Sequence, residues 1–80
     1  MLMQKLEGRL AVAERRVATG KRLLNRQTEL VARQRRAGLD TAQAESLLHT
    51  FEAIFWLLVQ AKEVAAIKLY TSRLAFRRLH

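Results

Sequence analysis

Arg35-Arg36-Ala37-Gly38-Leu39-Asp40-Thr41-Ala42-Gln43 is the stretch whose reading decides the fold. Gly38 suits the left-handed position that follows a helix, because it has no Cβ to clash there. Asp40 is placed to cap a second helix, and Gln43, three residues later, completes a capping box. Outward from this turn nothing else stops a helix, since the chain has no Pro. The spacing therefore predicts one helix over about 2–37, a turn at 38–40 and a second helix over about 41–79. At about 1.5 Å per residue the two are nearly equal, about 54 and 58 Å, so a short turn folds them back as an antiparallel hairpin. The expected class is all-α, with residues 1–80 as a single domain.

Composition agrees. Eighty residues form one small domain and leave no room for a large enzyme-like interior. Half the residues are hydrophobic but only 6% are aromatic, and Leu, Ala, Arg, Glu and Gln favour helix over sheet. Without Cys there are neither disulfides nor thiolate metal sites. Charged residues between Met1 and Leu10 interrupt any export signal, and the charge-free run Ala53 to Ala61 is far short of the roughly 20 residues a membrane span needs. A cytoplasmic protein is expected.

The first helix carries Met3, Leu6, Leu10, Ala13, Val17, Gly20, Leu24, Gln27, Val31 and Gln34 at alternating spacings of three and four. That is a heptad-like stripe. The second carries Ala44, Leu47, Phe51, Ile54, Leu58, Ala61 and Ala65 in the same rhythm. A turn centred on Leu39 sets Val31 against Leu47, Gln27 against Phe51, Leu24 against Ile54, Gly20 against Leu58 and Val17 against Ala61. Large faces small at several levels, as interdigitated packing requires. Beyond Ala65 the drift of a straight helix turns Leu69 and Phe76 inward in place of Lys68 and Ser72. Gln27 and Gln34 lie within the first stripe, where they either pair with backbone or water, fix the register, or sit at a solvated edge.

Facing away from this seam are Glu45, His49, Glu52, Trp56, Glu63, Ile67, Tyr70 and Leu74. The first half of that face is acidic and the rest is largely apolar. With Leu57 and Val64 on one flank and Phe55 and Val59 on the other, the second helix is apolar nearly all round, a pattern that calls for burial on more than one side. The expected interface is Phe55, Trp56, Val59, Ile67, Tyr70 and Leu74. Its partner is a second hairpin, most simply in a dimeric four-helix bundle, or a larger protein.

The string from Glu14 to Glu52 resembles a group of small, mostly alphaproteobacterial proteins built as helical hairpins. The resemblance is carried by Val17, Gly20, Gln27, Leu30-Val31 and, most specifically, the G-x-D-T turn of Gly38 to Thr41 followed by A-x-x-L-L-x-x-F from Ala44 to Phe51. It implies the helix, turn, helix reading and supplies no reaction or ligand. After Glu52 such proteins are more polar, whereas this chain runs Ile54-Phe55-Trp56-Leu57-Leu58-Val59.

Catalysis finds little footing, with no Gly-rich phosphate loop and no Ser, His and Asp set at a recognisable spacing. Only His49 and His80 are of a type that could serve as an acid or base near neutral pH. Glu45, His49 and Glu52 share a helical face but point outward and lack further ligands, so neither a metal nor any other cofactor is expected. No small-molecule substrate is expected either. Charge is uneven: residues 1–37 hold ten Lys and Arg against three Glu, net +7; residues 38–61 hold three acids and no base, net −3; residues 62–80 hold five bases against one acid, net +4. Arg15, Arg22, Arg26, Arg33 and Arg36 form an outward stripe that either tracks a phosphate backbone or solvates the bundle. Arg73, Arg77 and Arg78 add to it or touch anionic lipid, with a membrane surface the weaker expectation. The reading is thus a non-enzymatic, self-associating adaptor or small subunit, with RNA or DNA binding by the Arg stripe as the alternative.

Overall fold

The first helix, α1 (Leu2–Arg36), ends where Gly38 takes a left-handed backbone, φ +73°. The Leu39 N–H donates to the Gln34 carbonyl at 2.9 Å and the Gly38 N–H to the Arg35 carbonyl at 3.1 Å. These two bonds satisfy carbonyls that the end of a helix would leave open. Arg33, Arg35 and Arg36 in the last turn lie at the negative end of the helix dipole. The Asp40 carboxylate then accepts from the Ala42 N–H at 2.9 Å, while the Thr41 carbonyl accepts the first bond of the next helix from Glu45 at 2.8 Å. Gln43 makes no return bond, so the expected capping box is replaced by an Asx turn, in which the Asp40 carboxylate takes the amide of Ala42, the first residue of the second helix.

A computed structural model describes residues 2–79 as two helices, α1 Leu2–Arg36 and α2 Ala42–Leu79, with no strand among them. Each helix is one residue shorter at the turn than the sequence reading, and His80 lies outside the described residues. The helices pack side by side as an antiparallel hairpin of 65 × 14 × 14 Å. Its radius of gyration is 18.4 Å, where a compact chain of this length would have about 12 Å. So slender a shape gives little interior: the buried apolar side chains are Leu6, Val31 and Leu69, joined by the polar Gln27.

Along α1 every stripe position from Met3 to Gln34 is buried or half-buried. Val17, Gly20 and Leu24 are half-buried and Val31 is buried. The α2 seam differs from the sequence reading. Leu47 and Ile54 are 45% and 47% exposed, and Ala61 is exposed too. Phe55, assigned to the outer face, turns inward instead, as do Leu48 and Lys62, and Ser72 is half-buried where it was expected to be displaced; Leu69 turns inward as expected. The seam therefore runs Ala44, Leu48, Phe51, Phe55, Leu58, Lys62, Ala65, Leu69 and Ser72. It alternates four and three where the expected one alternated three and four. Both phases satisfy the period on a helix that is apolar nearly all round, and the four-then-three phase wins by burying Phe55 and reaching Leu69 without a change of step. Lys62 fits because its aliphatic stem can lie along the seam while its ammonium stays wet. Phe76 is 57% exposed, so the inward turn expected of it does not occur. Val59 is half-buried beside the seam and does not belong to the outer face.

Gly20 lets α2 side chains pack against the α1 backbone, since a Cβ there would lie 2.9 Å from Leu58 Cδ1 and 3.4 Å from Phe55 Cδ1. Gln27 Nε2 donates to the Ala44 carbonyl at 2.9 Å, which resolves its place within the seam in favour of a backbone partner.

Candidate interaction surface

The hairpin has two flanks of different chemistry. On one, Arg73 pairs with Glu7 at 3.5 Å and Arg35 pairs with Glu45. Glu7 and Arg35 are four heptads apart, as are Glu45 and Arg73, so both ion pairs fall on the same side. Glu45 is thereby drawn off the outer face, where the sequence reading placed it.

The other flank is an open trough between the helices. Its middle is lined by Val12, Arg15, Arg16, Gly20, Leu23, Phe51, Ile54, Phe55 and Leu58. Toward the free ends it continues past Lys5, Arg9, Val12, Arg16, Ala61 and Ala65. Toward the turn it continues past Leu23, Arg26, Leu30, Arg33 and Phe51. Shared residues at both junctions make it one channel, with apolar side chains along the floor and α2, and basic ones along α1. The sequence reading missed it. A repeat of Arg9, Arg16, Leu23 and Leu30 seven residues apart was the available signal, and the stripe of Arg15, Arg22, Arg26, Arg33 and Arg36 left Arg9 and Arg16 out.

Turned away from α1 is the outer face of α2. Trp56, Leu57, Val64, Ile67 and Tyr70 are each half or more exposed, from 50% to 65%, and Leu74 is 39% exposed. Of the residues expected there, Trp56, Ile67, Tyr70 and Leu74 lie on this face, while Phe55 and Val59 do not. Leu57 and Val64 take a more central place than expected, because the shifted seam recentres the opposite side. The surface excess is large. The chain exposes 6555 Å², against about 4,900 Å² for a compact monomer of its mass.

Arg15, Arg22, Arg26, Arg33 and Arg36 are all exposed. The only side-chain partner among them is Thr19 of the same helix, which accepts from Arg22 at 3.2 Å. Among the described residues no group of three or more His, Asp and Glu converges as a metal site would require, and His49 is exposed. No described helix is long and apolar enough to cross a membrane. No family model, curated protein or solved structure matches the chain.

Proposed function

We propose that this chain is a cytoplasmic, non-enzymatic interaction module: a helical hairpin that self-associates through the exposed apolar circumference of α2 and serves as an adaptor or small subunit. One observation carries the reading. Most of the large apolar side chains of α2 face water in the single hairpin, including its only tryptophan. At roughly 25 cal/mol per Å² of apolar surface, leaving such a face uncovered is costly, and patches of this kind on small proteins mark association sites. The test is the solution mass. Light scattering on the wild-type chain is expected to give a multiple of one hairpin, and Trp56→Glu is expected to shift it to smaller species. A wild-type mass of one hairpin across micromolar to millimolar concentration contradicts the reading.

A second reading is favoured by the Arg stripe of α1. Arg15, Arg26, Arg33 and Arg36 face solvent with no carboxylate partner, as side chains that track phosphates must. It expects retention on RNA or DNA at about 50 mM salt that falls steeply with added salt. No retention under those conditions dismisses it.

A further inference from the structure

We infer that the chain assembles head to tail, with the outer face of α2 of one copy lying in the trough between α1 and α2 of the next. This rests on the self-association proposed above and specifies its geometry. The trough has an apolar floor and one basic wall, in which Lys5, Arg9, Arg15, Arg16, Arg26 and Arg33 are opposed by a single lining carboxylate, Glu29. The outer face of α2 carries the complement. Exposed Glu63 stands there among Trp56, Ile67 and Tyr70 at helical spacing, while Glu52, one heptad from Glu45, falls on the flank of the ion pairs. Lengths are comparable as well: at 1.5 Å per residue the trough from Lys5 to Arg33 spans about 42 Å, and the outer face from His49 to Leu74 about 38 Å.

Two-fold arrangements use these surfaces less well. Trough against trough sets Arg15, Arg16 and Arg26 facing either the same basic wall or an α2 flank of Leu47, Ile54 and Lys68 that has no carboxylate. Outer face against outer face leaves the trough open. Head-to-tail contact covers both apolar sides of α2 at once, one as the ligand and one as the trough's far wall. It is heterologous, so it closes into a ring or grows into a filament.

Complementation distinguishes these geometries. An Arg16→Glu/Arg26→Glu variant blocks the trough and keeps the outer face; Trp56→Glu does the reverse. Each alone is expected to sediment as one hairpin with wild-type helicity by circular dichroism, and an equimolar mixture is expected to form a one-to-one dimer. Should Trp56→Glu lose helicity, Ile67→Lys takes its place. A trough variant that dimerises by itself, with no new species on mixing, overturns head-to-tail contact while leaving self-association intact. A wild-type chain that stays a single hairpin at every concentration overturns both.

Discussion

The side-chain amide of Gln27 reaches from the middle of α1 to the Ala44 carbonyl in the first turn of α2, at 2.9 Å, and is the one buried polar side chain among the described residues. The carbonyl also accepts its own helical bond within α2, so the contact satisfies the buried Gln27 amide and ties the helices, while the acceptor stays bonded without it. Gln27→Ala leaves a small void and loses the bond, and is expected to cost about 1–2 kcal/mol. Gln27→Leu keeps the volume and strands no buried acceptor, so it is expected to stay within about 1 kcal/mol of wild type. Urea unfolding followed by circular dichroism at fixed protein concentration measures both.

The corrected seam makes a second prediction, because Phe55 and Ile54 are adjacent in sequence but on different sides of the boundary. Phe55 touches the space left by Gly20, whereas Ile54 is 47% exposed. In dilute protein Phe55→Ala is expected to cost about 2 kcal/mol more than Ile54→Ala. Equal losses, or a larger one for Ile54, would restore the three-then-four phase.

How much of this was legible beforehand differs between the helices for a physical reason. On α1, charged residues crowd the faces beside the stripe, so only one phase keeps them wet, and the positions from Met3 to Gln34 could be read directly. The turn was equally clear, since Gly38 and Asp40 have few other uses at that spacing. On α2, Ile54, Phe55, Trp56 and Leu57 offer four successive apolar directions, and periodicity alone does not choose among them. Lys62 argued against the true seam, although a lysine stem fits a half-buried site. The trough was invisible because it belongs to neither helix: it needs the register of both.

The glycines separate conformation from contact. Nothing lies within 4 Å of a Cβ built on Gly8, in mid-helix, so Gly8→Ala is expected to raise stability by about 0.5–1 kcal/mol. Gly20→Ala is expected to gain less, because its methyl meets Leu58 Cδ1 at 2.9 Å and the leucine must shift. Gly38→Ala is expected to lose about 1 kcal/mol, since φ +73° penalises any Cβ. Thermal melts ranked Gly8→Ala, Gly20→Ala, wild type, Gly38→Ala check the series.

The two ion pairs are expected to matter little. Their side chains are 40% to 67% exposed, so water screens the attraction and ordering two long side chains offsets it. Glu7→Gln and Glu45→Gln should each change stability by less than about 1 kcal/mol, with the difference shrinking further in high salt.

Trp56 is the only tryptophan in the chain and stands 61% exposed at the centre of the outer face of α2. Its fluorescence therefore reports the claim on which the rest depends, that another chain covers this face. Measured across a dilution series with a soluble quencher, the emission is expected to be blue-shifted and shielded at high protein concentration, then to move to the red and become quenchable as the assembly comes apart. Emission of a fully quenchable, water-exposed indole at every concentration would contradict it.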